Sequence, residues 1–147
     1  MGQHHTPASG HVSLVNDRDA IDALEDLVVD LAEQFEYARN ARFALRLALE
    51  EAIVNAFRHG HAHLPHDTPV EIDYSVGPEE IRVDVEDQGP GFTPSDVPDP
   101  TLDENLERPS GRGLVLMRAY MTRIRHLGRG NRVEMLLKRP ESLGEAS

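Results

Sequence analysis

The chain contains no cysteine. Cysteine nucleophiles, thiolate zinc sites and a secreted disulfide framework are therefore excluded, and a reducing compartment is favoured. Long apolar runs are missing as well. The uninterrupted apolar stretches are far shorter than the ~20 residues that cross a bilayer, and no basic-then-apolar leader opens the sequence. A cytoplasmic protein without a membrane segment is the expectation. Nor is there an excess of basic charge, because 15 Lys and Arg stand against 26 Asp and Glu, a formal net charge of −11. Like charge repels DNA and anionic membrane surfaces, so neither is an expected partner. A local site can still receive an anionic ligand.

What is present fits one compact domain of 147 residues, 39% of them apolar. A chain of this size buries roughly 68–70% of its unfolded surface and needs no metal or disulfide to do so. Residues 1–10, with His4, His5 and Pro7, read as a flexible end, 11–139 as the domain and 140–147 as a flexible C-terminus. A short strand runs through Val12 and Leu14, after which Asp17 can cap a helix reaching about Tyr37. Its apolar positions Ile21, Leu24, Leu27, Val28, Leu31 and Phe35 recur every three or four residues and share a face. A second helix is expected over 41–59, ended by Gly60. The segment 61–68 is a polar loop.

Strands over 70–76 and 81–86, joined by Gly77-Pro78-Glu79-Glu80, are expected to pair antiparallel. Residues 88–112 carry Pro90, Pro94, Pro98, Pro100 and Pro109 and few apolar residues. That stretch is too long for an ordinary connector and is a candidate lid. A helix over 113–120 and a closing hairpin, 122–127 with 133–138, complete the pattern. Helices followed by a meander of strands specify an α+β two-layer sandwich with a mostly antiparallel sheet.

Three short stretches carry chemistry. On the second helix, Glu51, Asn55 and Arg58 fall on one side, bracketed by Ala44, Leu47, Ala48 and Val54, so a carboxylate and an amide interrupt an apolar face. Arg42, Arg46 and Glu50 lie opposite, where a solvated Glu50–Arg46 pair is expected. A carboxylate on an apolar face is paired, hydrated in a cleft, or bound to a ligand or metal; the alternative is a narrower face with both groups at its edge. Next, Asp87-Gln88-Gly89-Pro90-Gly91 follows a strand whose inward positions are Ile81, Val83 and Val85. A carboxylate fixed there can accept a hydrogen bond from an amino group, and the glycines let backbone approach a flat ligand. The alternative is a plain turn. Last, Ser110-Gly111-Arg112-Gly113-Leu114 opens a helix, where free backbone N–H groups receive phosphate; the alternative is a loop leading into a helix.

The order of these stretches resembles the ATP-binding motifs of the GHKL superfamily, the gyrase, histidine-kinase and MutL type of ATPase with a Bergerat-type fold. Within it, Leu49-Glu50-Glu51-Ala52-Ile53-Val54-Asn55-Ala56, His59-Gly60 and Pro109-Ser110-Gly111-Arg112-Gly113-Leu114 look most like the bacterial anti-sigma-factor serine/threonine kinases. The resemblance covers about residues 12–138. It implies that Asn55 holds Mg2+ bridging the phosphates of ATP and that Glu51 is the general base for an acceptor hydroxyl. It further implies that Asp87 bonds the adenine amino group, that Gly89 and Gly91 shape its pocket, and that Gly111, Arg112, Gly113 and Leu114 form the phosphate cradle. The implied partners are a sigma factor, which the protein would sequester, an anti-sigma-factor antagonist of STAS type, which it would phosphorylate, and a second copy in a homodimer. A nucleotide-binding sequestering module without kinase activity and a detached ATPase component of another signalling system are the alternatives. One departure stands out: such proteins carry a threonine near the start of the last strand beside the adenine, and Gly130-Asn131-Arg132-Val133 has none.

Two further groupings are weaker. His59, His61, His63 and His66 lack the company of a metal site and read as exposed loop residues. Arg112, Arg118, Arg123, Arg125, Arg129 and Arg132 make the last third basic, suited to phosphate or an acidic partner, or simply solvated.

Overall fold

A computed structural model describes residues 7–61, 64–89, 118–127 and 131–139. Among these residues five antiparallel strands form one sheet: β1 (Ala8–Leu14), β2 (Val70–Val76), β3 (Glu80–Glu86), β4 (Arg123–Leu127) and β5 (Arg132–Lys138), in the spatial order β1-β2-β3-β5-β4. Two helices, α1 (Arg18–Gln34) and α2 (Arg39–Asn55), cover one face of it. This is the α+β two-layer sandwich that the sequence specifies. No helix among the described residues is long and apolar enough to cross a membrane.

Strand alternation makes the core. Val70, Ile72 and Val76 of β2, Ile81, Val83 and Val85 of β3, and Met135 and Leu137 of β5 are buried against Leu24, Val28, Leu45, Leu49 and Ile53 of the helices. Each such side chain contributes about 1.5–3 kcal/mol on burial. The opposite face, where alternation puts the intervening side chains, carries charged groups. There Glu134 of β5 accepts from Arg82 and from Arg125, and Arg132 donates to Asp84. Arg123, Arg125 and Arg132, three of the arginines expected to face phosphate, an acidic partner or solvent, are thus paired within the sheet.

The termini of the elements show where local rules hold. Asp17 caps α1 as expected, its carboxylate accepting from the Ala20 N–H at 3.0 Å. Strand β1 begins at Ala8, so residues 8–10 of the stretch read as a flexible end belong to the sheet, paired with Tyr74, Ser75 and Val76. Helix α1 stops at Gln34 rather than near Tyr37, because Glu36 adopts a left-handed φ of 65°. The Tyr37 N–H then returns to the Ala32 carbonyl at 3.0 Å, satisfying the helix end. Arg139, just past β5, secures this corner by donating to the Phe35, Glu36 and Pro78 carbonyls and lying 4.1 Å over the Tyr37 ring.

The buried side of α1 is rotated from the expected stripe. Leu27 is 38% exposed, whereas Glu25 is only 2% exposed, alongside Ile21, Leu24 and Val28. Glu25 sits between the helices. Arg46, expected in a solvated pair with Glu50, instead lies 3.5 Å from Glu25 and 2.6 Å from Asp26, and Glu50 is gripped by Arg18 of α1 at 2.8 Å. The far side of α2 is an interhelical charge seam, not a free surface.

Candidate functional site

Helix α2 delivers the first group. Glu51 is 8% exposed, so the carboxylate lies inside and not at the edge of a narrow face. One turn on, Asn55 closes the α-helix, its Nδ2 3.5 Å from Glu51 Oε2. The Asn55 Oδ1 atom is buried and has no hydrogen-bond partner among the described residues. A buried amide oxygen left without a donor is costly unless something fills the position, and a hard cation such as Mg2+ takes such oxygens. Arg58 lines a cleft of about 250 Å³ with Asn16, Arg18, Ile21, Val54 and Phe57.

The helix does not run on to His59. From Ala56 to Gly60 it widens into a π turn, closed by the His61 N–H on the Ala56 carbonyl at 3.0 Å. Such turns occur often at functional sites, because the extra residue re-aims the side chains beyond it. Here it brings Gly60 and His61 to the end of β3. A Cβ on Gly60 would collide with the Asp87 carboxyl, and one on Gly89 with the Gly60 carbonyl oxygen. Only glycine permits either approach.

Asp87, first residue after β3, is 7% exposed. Its Oδ1 accepts from the Gly89 N–H at 2.8 Å, which bends the chain back over the carboxylate. Its backbone is held by Asn131: the Asp87 N–H donates to the Asn131 carbonyl at 2.9 Å, and Asn131 Nδ2 donates to the Asp87 carbonyl at 3.1 Å. Asn131, standing where the resemblance places a threonine, is itself buried.

Burial also overturns the reading of His61 as an exposed loop residue. Its ring is 8% exposed, meets Phe57 edge-on at 5.7 Å and 84°, and its Nε2 accepts from the Gln88 N–H at 2.8 Å. No group of three or more His, Cys, Asp or Glu side chains is gathered as a metal site among the described residues. Gly91, Gly111, Arg112, Gly113, Leu114 and the lid from Pro90 onward lie outside the described residues, as does most of the helix expected over 113–120, of which 118–120 are helical.

The structure thus joins the end of α2 to the end of β3 through Gly60 and His61, and ties β3 to the start of β5 through Asn131. Sequence patterning found Glu51, Asn55 and Asp87 but passed over His61. Asn131 stands just before β5: Glu86 pairs with Arg132, so the residue preceding β5 adjoins the residue just past β3.

Comparison with known proteins bears on the family and the fold. The family model of the histidine kinase-like ATPase domain matches residues 14–137. The fold is similar to the crystal structure of the RsbU and RsbW domains of Rv1364c from Mycobacterium tuberculosis, with a TM-score of 0.58 and 12% identity over 90% of this chain. The alignment covers 31% of that chain, so this protein spans about a third of its length. No curated protein sequence matches. With a family model that takes in both helices and four of the five strands, β5 up to Leu137, the chain belongs to the histidine kinase-like ATPase domain family.

Proposed function

We propose that this protein binds ATP with Mg2+ and transfers the γ-phosphoryl group to a serine or threonine hydroxyl of an anti-sigma-factor antagonist of STAS type, and that it sequesters a sigma factor in the cytoplasm. The observation that carries the reading is the buried Glu51 carboxylate one helical turn from the partnerless Asn55 oxygen. The family and the order of the sequence motifs support it, and the partner identities rest on the resemblance alone.

The residues divide the work. Asp87 would accept a hydrogen bond from the adenine amino group, Gly89 and Gly91 would shape its pocket, and Asn55 would hold the metal. Mg2+, when bound, neutralises the charge of the phosphates. Glu51 takes the proton of the acceptor hydroxyl as its oxygen bonds to the γ-phosphorus and the bond to the ADP oxygen breaks. Gly91, Gly111, Arg112, Gly113 and Leu114 belong to the phosphate cradle and lid by the same reading.

Calorimetry with Mg2+ and ATP tests the site: the unaltered protein binds, and Asp87→Asn loses most of the affinity. Absence of binding by the unaltered protein refutes the reading. Incubation with labelled ATP and candidate antagonists tests the reaction; a protein that binds a sigma factor but phosphorylates no antagonist is a sequestering module instead. Among the described residues β1 is an end strand of the sheet, an edge that suits a second copy, and the reading includes a homodimer. Light scattering at tens of micromolar gives twice the chain mass if so, and a monomeric mass rejects it.

A further inference from the structure

The peptide group between Asp87 and Gln88 is held at both ends. Its carbonyl accepts from Asn131 Nδ2 at 3.1 Å and its N–H donates to His61 Nε2 at 2.8 Å. The preceding N–H, that of Asp87, is held by the Asn131 carbonyl at 2.9 Å. The two residues come from different parts of the chain, His61 from the end of the turn after α2 and Asn131 from just before β5, and both are buried. Phe57 meets the His61 ring edge-on.

Fixing the peptide planes on either side of a residue fixes its φ and ψ, and with them the direction of its Cα–Cβ bond. The Asp87 carboxylate has its direction set this way, with Gly60 packed against the carboxyl group and the Gly89 N–H donating to Oδ1. We propose that His61 and Asn131 are positioning residues that aim the Asp87 carboxylate at the 6-amino group of a purine nucleotide, a role that rests on the ATP reading above. Hydrogen bonds weaken steeply with misalignment, so an acceptor held still discriminates better than one free to swing. A fixed carboxylate accepts from a 6-amino group and has nothing to offer a 6-oxo group. The pair therefore sets base preference rather than phosphate affinity.

The test is calorimetry of the full chain with Mg2+ and either ATP or inosine triphosphate, which carries oxygen at position 6. His61→Phe keeps the aromatic contact and removes the acceptor; Asn131→Asp keeps the shape and removes the donor. Each is expected to lower the ratio of ATP to inosine triphosphate affinity about fivefold, the loss of one buried hydrogen bond, while inosine triphosphate affinity holds. His61→Gln, which restores an acceptor, is expected to keep the unaltered ratio and guards against poor folding of His61→Phe. An unchanged ratio in His61→Phe and Asn131→Asp, including equal weakening of both nucleotides, overturns the inference and leaves the ATP reading standing. An unaltered protein that binds the two nucleotides equally overturns the role of Asp87, and this inference with it.

Discussion

Gly60 lies flat against the carboxyl group of Asp87, so close that a Cβ on Gly60 would overlap its Cγ and both of its oxygens. The end of the α2 turn and the end of β3 meet at this point, and the contact ties the helix bearing Glu51 and Asn55 to the strand bearing Asp87. Gly60→Ala must displace either the turn or the carboxylate. Overpacking of this kind costs about 1–3 kcal/mol, so a lowered denaturant midpoint is expected together with weaker ATP binding. Alanine at 60 with stability and binding unchanged would show that the two elements move independently.

Glu51 and Asn55 are one turn apart but are given different work, which kinetics separates. Glu51→Gln keeps size and hydrogen bonding and removes the base. Binding of ATP and of a sigma factor should survive while phosphorylation falls by ~10²–10⁴. Asn55→Ala removes the partnerless oxygen, so both nucleotide binding and phosphorylation should drop. Phosphorylation by Glu51→Gln at the unaltered rate would rule out Glu51 as the base.

Local physics made most of the frame legible. The inward run Ile81, Val83, Val85 is a matter of alternation, and Asp17 caps its own helix, so neighbouring residues sufficed for both. Glu51 and Asn55 were visible because they break an apolar face. Hidden from the sequence were features set by distant residues. Glu36 takes a glycine-like φ in a corner held by Arg139, more than a hundred residues away. Burial of Glu25 depends on which side of α1 meets α2, which periodicity fixes only to within a residue or two. His61 becomes internal only through the π turn, and nothing in its neighbours announces that extra residue.

The buried charge seam between the helices has its own signature in pH. Loss of solvent, and then the Glu50 carboxylate beside it, push the Glu25 carboxyl up to about 8, while Arg18 holds Glu50 below the ordinary range. The signs oppose each other. A folded protein that keeps a proton on Glu25 after the unfolded chain has released it is stabilised at low pH, and that stability is lost as pH rises from the ordinary carboxylate range to about 8. For Glu50 the stabilisation is present above the ordinary range and is lost on acidification. One proton gives a slope of at most about 1.4 kcal/mol per pH unit. Glu25→Gln, a neutral copy of the protonated acid, should remove Glu25's share of the slope. Urea unfolding of both proteins between pH 5 and 8 checks this, because Glu50, the carboxylate beside Glu25, is held below that window and the remaining titrating groups are common to the pair. The variant should gain on the unaltered protein steadily as pH rises. Parallel stability curves across that window would mean that Glu25 is already ionised in the folded state, balanced by Arg18 and Arg46.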